Sequence, residues 1–207
     1  MYLLLALYSY FRMIPNISAQ YKCIFVHIPK TGGTSIEHAL GMYQLNGERG
    51  QQDHRTIAKI KEDLSEEQFE SYFKFSFVRN PWARVVSWYR NVMRDPLHQK
   101  ELEIENPHLT FRDFLHHYHH SWALREQLYW LKDEKGQIPL NFIGRFEQLQ
   151  QDFAIVCQKL NMQNKILPNL LASEPCEYVS FYDEKLRDAV ASRYAEDIAY
   201  FNYKFGE

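Results

Sequence analysis

The chain reads as an α/β domain, a P-loop-like three-layer fold in which a central, mainly parallel sheet is flanked by helices. Three observations lead there. Short apolar runs at residues 22–28, 74–79 and 141–146 have strand character. Each is followed by a stretch whose apolar residues recur at helical spacing. No Pro/Gly/Ser-rich linker, internal repeat or low-complexity tract divides the 207 residues. Strands that alternate with helices pair in parallel, and such sheets gather ligands at the carboxyl ends of their strands.

Taken in order, residues 1–14 are apolar and aromatic around Leu3-Leu-Leu-Ala-Leu7. This run is shorter than the roughly 20 residues that cross a bilayer. It also lacks the basic stretch that precedes a signal-peptide core, since Arg12 follows it. The expectation is a cytoplasmic chain with an apolar extension over residues 1–20 and one domain over 21–207; attachment to a membrane through the extension is the alternative. Residues 1–12 are either an over-extended start upstream of Met13 or a docking segment.

The first strand is expected over 22–28 and a helix over 35–42, followed by a polar turn region at 44–53. Ile57, Ile60 and Leu64, then Phe69, Tyr72 and Phe73, have helical spacing. Residues 74–79 alternate as a strand, and Pro81 suits the first turn of the helix that follows. Helical patterns recur at 109–118, 122–131 and 147–160, with a strand at 141–146 and one long terminal helix at 183–201.

Hydrophobic content of 45% and charged content of 24% belong to an ordinary globular protein. A net charge of −2 supplies no general attraction to nucleic acid or acidic membrane, so an anion site must be local. Cys23, Cys157 and Cys176 form no CxxC pair and argue against a disulfide framework or zinc ribbon.

Two segments carry the chemistry. In Phe25-Val-His-Ile-Pro-Lys-Thr-Gly-Gly-Thr-Ser35 an apolar strand opens into a small, hydroxyl-rich loop that runs into a helix. Backbone N–H groups, Lys30 and the hydroxyls of Thr31, Thr34 and Ser35 are suited to an anion. The alternative is a plain strand–helix turn in which Gly32 and Gly33 only permit positive φ. The nucleoside-triphosphate loop GxxxxGK[ST] is absent, because here the lysine precedes both glycines. The second segment, Phe77-Val-Arg-Asn-Pro-Trp-Ala-Arg-Val-Val-Ser-Trp-Tyr89, is another strand–turn–helix. It sets Arg79 at a strand end and Ser87 about two turns into the helix. Arg79 is beside the first loop if the two strands are neighbours, and its planar fork suits phosphate oxygens. Structural ion pairs at Arg79 and Arg84 are the alternative.

Together these segments resemble the sulfotransferases that use 3′-phosphoadenosine 5′-phosphosulfate (PAPS), especially the heparan sulfate and carbohydrate branch and its bacterial relatives. The resemblance continues through Phe142-Ile-Gly-Arg-Phe-Glu147 and Asp197-Ile-x-x-Phe-x-Tyr-x-Phe205. It implies that Lys30, Thr31, Gly32, Gly33, Thr34 and Ser35 hold the 5′ end of PAPS and that Arg79 and Ser87 hold its 3′-phosphate. It further implies transfer of the sulfuryl group to a hydroxyl on a carbohydrate, release of 3′-phosphoadenosine 5′-phosphate (PAP) and no metal. Lys30 would have a catalytic task at the leaving phosphate. His54, in a place comparable to the family's catalytic histidine, would be the base, with Asp53 and Glu37 behind it. His27 is expected to be a packed core residue.

His116-His-Tyr-His-His120 reads as a solvated helical cluster, or as an acceptor-groove lining with Arg112 and Arg125, in preference to a metal site. The competing functions are an ATP-dependent small-molecule kinase and a non-catalytic nucleotide- or glycan-binding protein of the same fold.

Overall fold

Alternation along the second strand builds the layers. The computed structural model describes residues 16–42, 52–106, 108–163, 165–168 and 177–207. Strands β1 (Ile17–Ser18), β2 (Cys23–Val26), β3 (Phe73–Val78) and β4 (Phe142–Arg145) form one sheet in the order β1-β2-β3-β4. β2, β3 and β4 are parallel and β1 is antiparallel, pairing Ile17 with Ile24 and Ser18 with Cys23. The three expected strands are present: β2 and β4 are slightly shorter than their apolar runs, and β3 has the expected length, shifted by one residue. β1 was not anticipated, because two residues are too few to display an alternation.

Cys23 and Phe25 point to one face of the sheet and Ile24 and Val26 to the other, as a period of two requires. The first face is covered by helix α1 (Gly33–Ala39), through Ile36, Ala39 and Leu40, and by α8 (Leu149–Lys159), through Phe153 and Val156. The opposite face packs on α2 (Ile57–Lys61), α3 (Glu66–Ser71), α7 (Leu128–Leu131) and α10 (Ala195–Phe201). A third cluster joins α4 (Pro81–Arg94), α6 (Phe111–Tyr118) and α9 (Glu184–Arg193) around Trp82, Val86, Phe114 and Val190. The short helix α5 (Pro96–Glu101) follows α4.

Local signals set the helix starts. Pro81 occupies the first turn of α4, and the Asn80 side chain accepts from the Trp82 N–H. Ser65 and Gln68 form a capping box at α3. Two long helices expected from periodicity are broken instead. Residues 122–131 divide into a 3₁₀ turn, Trp122–Leu124, and α7, because the N–H groups of Gln127 and Leu128 donate to the buried Asp197 carboxylate at 2.6 and 3.0 Å. Residues 183–201 divide at Tyr194, whose hydroxyl donates to the Leu124 carbonyl at 2.6 Å. In both cases a long-range hydrogen bond outweighs continuation of the helix. The polar turn region at 44–53 falls mainly outside the described residues, as do residues 1–15 and Cys176. Cys23 and Cys157 are buried.

Gly144 lies opposite Phe77 in the β3–β4 register, where a Cβ would stand 2.4 Å from the Phe77 ring. Gly144→Ala should therefore cost about 1–3 kcal/mol through overpacking. Urea unfolding measures this, and an unchanged midpoint would show that the Phe77 ring yields freely.

Candidate active site

The parallel pairing of β2 with β3 brings the two sequence motifs together. Val26 lies opposite Ser76, whose hydroxyl donates to the Val26 carbonyl at 2.7 Å. The two strands therefore end side by side, and the Arg79 guanidinium donates through an Nη to the Lys30 carbonyl at 3.2 Å. Arg79 also lies over the Phe146 ring at 3.9 Å, while Gln127 clamps its backbone by accepting from its N–H and donating to its carbonyl.

Backbone conformation shapes the first loop. Lys30 has φ of 69°, a left-handed geometry that costs a non-glycine residue about 1–2 kcal/mol. Its Nζ donates to the Asn91 side chain at 3.0 Å. Thr31 is buried and donates its hydroxyl to the Ile28 carbonyl, so that hydroxyl is turned inward. Gly32 has φ of 84°, and a Cβ there would meet Leu149 at 2.8 Å. A Cβ on Gly33 would strike the His27 ring at 2.1 Å. Close approach thus requires both glycines, and the turn requires Gly32 as well. Ser35 is buried, and its N–H donates to the Gly32 carbonyl at 3.2 Å.

Helix α4 presents a stripe to this loop. Arg84, Ser87 and Asn91 are spaced i, i+3 and i+7, which places them on one face. Arg84 Nε donates to the Pro29 carbonyl and Asn91 accepts from Lys30, so the half-buried Ser87 between them faces the same loop. Among the described residues Arg84 makes no ion pair of the expected kind. It is buried and donates to the carbonyls of Pro29, Ala123 and Arg125.

His54 also belongs to this constellation. Its Nδ1 donates to the His27 carbonyl at 2.9 Å, which leaves the lone pair on Nε2. Nε2 lies 3.3 Å from the Gln52 Oε1, and the Gln52 amide donates to the Thr34 hydroxyl. Burial above all pushes His54 down to about 3, so the ring is neutral at ordinary pH. Burial and the neighbouring cations Arg79 and Arg94 lower Lys30 to about 8.

Behind His54 lies a pair that sequence reasoning missed. His27 is buried as expected, but its Nδ1 is 2.7 Å from the Glu37 carboxyl and its ring is 4.2 Å from the His54 ring. Burial lowers His27 to about 3 and raises Glu37 to about 8. The pair is therefore uncharged at neutral pH, with the Glu37 carboxyl donating its proton to His27. This engages Glu37 with His27, and Asp53 is tied to Arg55 at 2.7 Å. Asn91, Gln52 and Gln127 also escaped the sequence reading, because single amides carry no motif. The 84/87/91 spacing was the available signal for Asn91.

The histidine run lies at the end of α6, with His116, His117, His119 and His120 exposed. Among the described residues no group of three His, Cys, Asp or Glu could hold a metal. Arg112 pairs with Asp183, and Arg125 stacks on Tyr129 at 4.6 Å. No helix among the described residues is long and apolar enough to cross a membrane.

A family model described as "Sulfotransferase family" matches residues 16–204, and the chain belongs to that family. It is similar to an uncharacterized protein of Archaeoglobus fulgidus, 31% identical over 110 residues that make up 52% of this chain and 82% of that protein. It is also similar to carbohydrate sulfotransferase 14 of Danio rerio, 22% identical over 70% of this chain and 47% of that protein. With the Mus musculus carbohydrate sulfotransferase 14 it shares 31% identity over 36% of this chain and 22% of that protein. The chain thus spans less than half the length of either carbohydrate sulfotransferase. Among solved structures, a sulfotransferase from Alicyclobacillus acidocaldarius matches with a TM-score of 0.38 and 19% identity, over 67% of this chain and 58% of that one.

Two buried neutral histidines make the fold acid-sensitive. The unfolded chain binds protons at His27 and His54 below about pH 6.5, whereas the folded chain does so only near 3. Their contribution to stability is therefore present above about pH 6.5 and lost as pH falls toward 3. His54→Asn should remove one proton from this dependence, about 1.4 kcal/mol per pH unit at most. Urea midpoints between pH 4 and 6 report it, and an unaltered slope would mean that His54 keeps its proton in the fold.

Proposed function

We propose that the chain transfers the sulfuryl group of PAPS to a hydroxyl, on a carbohydrate, and releases PAP. The observation that carries this reading is the hydrogen bond that fixes His54 to the first loop, from its Nδ1 to the His27 carbonyl. A loop that holds a donor anion and a neutral imidazole fixed to the same loop is the arrangement that transfer from an anionic donor to an alcohol needs. Family membership supports the reaction class, and the carbohydrate sulfotransferases among the relatives support the acceptor class.

In this reading residues 30–35 hold the 5′-phosphosulfate. Arg79 and Ser87 hold the 3′-phosphate, and neutralising that group favours PAPS over ATP because an unmatched guanidinium is costly. The acceptor hydroxyl gives its proton to His54 Nε2 as its oxygen bonds to sulfur. The bond from sulfur to the 5′-phosphate oxygen breaks, and the electron pair leaves on PAP. Lys30 stabilises the charge that develops on that phosphate. The imidazolium finds an acceptor at each nitrogen, the His27 carbonyl at Nδ1 and Gln52 Oε1 at Nε2. No step requires a metal.

Thermal shift with PAP, ATP and ADP tests the donor assignment. PAP should stabilise the fold by mass action, and stabilisation by magnesium-ATP in preference to PAP would support a kinase instead. Arg79→Ala should weaken PAP binding in calorimetry, and unchanged affinity would remove the 3′-phosphate role. His54→Ala should reduce kcat by about 10²–10⁴ with PAP affinity nearly intact, and a wild-type rate would redirect the search to Glu37 or Asp53. The pH profile offers a further check, because activity should fall above about pH 8 as Lys30 loses its proton. Lys30→Arg should carry that limb upward, and a limb that stays near 8 would belong to another group.

A further inference from the structure

We infer that the indole of Trp122 is the platform of an acceptor subsite that takes an uncharged pyranose ring. The inference rests on the assignment of His54 as the base, since the acceptor hydroxyl must come to His54 Nε2. The Trp122 ring lies 5.3 Å from the His54 ring, centre to centre. It is 39% exposed, although most tryptophans of this chain are buried. An exposed indole next to a reacting imidazole offers a flat apolar face of the size of a sugar ring.

The platform is held in place. Trp122 Nε1 donates to Glu101 Oε1 at 3.3 Å, and the Trp88 ring meets it edge-on at 6.3 Å. Trp122 heads the 3₁₀ turn whose Ala123 carbonyl is gripped by the buried Arg84. The same guanidinium holds Pro29 of the first loop, so the donor loop and the indole share one anchor. The buried polar atoms with no hydrogen-bond partner among the described residues include the Trp88 indole N–H and the Ser121 hydroxyl. These two belong to the ring that abuts Trp122 and to the residue that precedes it.

Charge selects the occupant. Carboxylates lie beside the indole: Glu101 bonds to Trp122 itself, and His98 stands between Glu101 at 3.4 Å and Asp95 at 3.6 Å. The His98 ring packs on Trp88 at 5.0 Å. Carboxylates accept hydrogen bonds from sugar hydroxyls and repel uronate or sulfate groups. Of the arginines considered for an anionic glycan, Arg112 pairs with Asp183 and Arg125 lies over Tyr129. An aromatic face with carboxylate rims fits a neutral, hydroxyl-rich ring.

Calorimetry on the full chain, with and without saturating PAP, tests this with chitotetraose as the uncharged probe and unsulfated chondroitin tetrasaccharide as the anionic one. Chitotetraose should bind more tightly than the chondroitin fragment. Trp122→Ala should weaken chitotetraose about tenfold, equivalent to about 1.4 kcal/mol, and Trp122→Phe should restore most of the loss. Glu101→Gln should narrow the gap between the two probes. Equal affinity of wild type and Trp122→Ala for chitotetraose, no chitotetraose binding at millimolar concentration, or preference for the chondroitin fragment would each overturn the assignment. A chain that binds chitotetraose through Trp122 but fails to bind PAP would keep the subsite and reject sulfuryl transfer.

Discussion

The guanidinium of Arg84 is the constraint on which the site depends. It is wholly buried, has no bonded carboxylate among the described residues, and donates to three backbone carbonyls, at Pro29, Ala123 and Arg125. Burial alone favours loss of the charge, and Tyr194 and Asp197 oppose that loss. Arginine keeps its proton in such surroundings because its unperturbed pKa is so high. The planar fork then ties α4 in one geometry to two segments distant in sequence, the first loop at Pro29 and the stretch holding Ala123 and Arg125. A lysine would offer a point charge in place of that geometry, so the anchor is specific to arginine.

What Arg84 fixes from one side, the sheet fixes from the other. Parallel pairing sets the ends of β2 and β3 level, and this puts Lys30 beside Arg79. Three of the donors that cross between these segments are bound to backbone oxygens: Arg79 to Lys30, His54 to His27, Arg84 to Pro29. Such bonds set the path of the main chain and leave the outward side chains of the loop to a ligand. The unfavourable φ of Lys30 persists for the same reason, since its carbonyl and its ammonium are both held.

The legible parts of the sequence were those with a local cause. Strands at β2, β3 and β4, the start of α4 at Pro81 and the two loop motifs all follow from periodicity or turn chemistry within about ten residues. The continuous helices expected at 122–131 and 183–201 failed because Asp197 and Tyr194 reach across the chain to backbone groups 70 residues away. The same limit applies at the site. His27 was recognisable as buried, but its partner Glu37 and its contact with His54 depend on how α1 lies on the sheet. The bridging amides Gln52, Asn91 and Gln127 become significant only when the loops are adjacent.

Electrostatics links the inner pair to the proposed chemistry. Were His27 charged, it would repel the proton that His54 must accept and add to a site already holding Lys30, Arg79 and Arg94. Were Glu37 ionised as well, the two charges would cancel at the cost of desolvating both. Sharing one proton avoids both states and leaves a polar but uncharged floor beneath the base. The basicity of His54 is then set from the open side of the site. In the sulfuryl-transfer reading, a bound donor brings several negative charges toward the cations of the first loop. Those charges raise the affinity of His54 for a proton by simple Coulomb attraction. The base thus strengthens when the donor arrives, and an empty site keeps a neutral ring that competes little for protons from water.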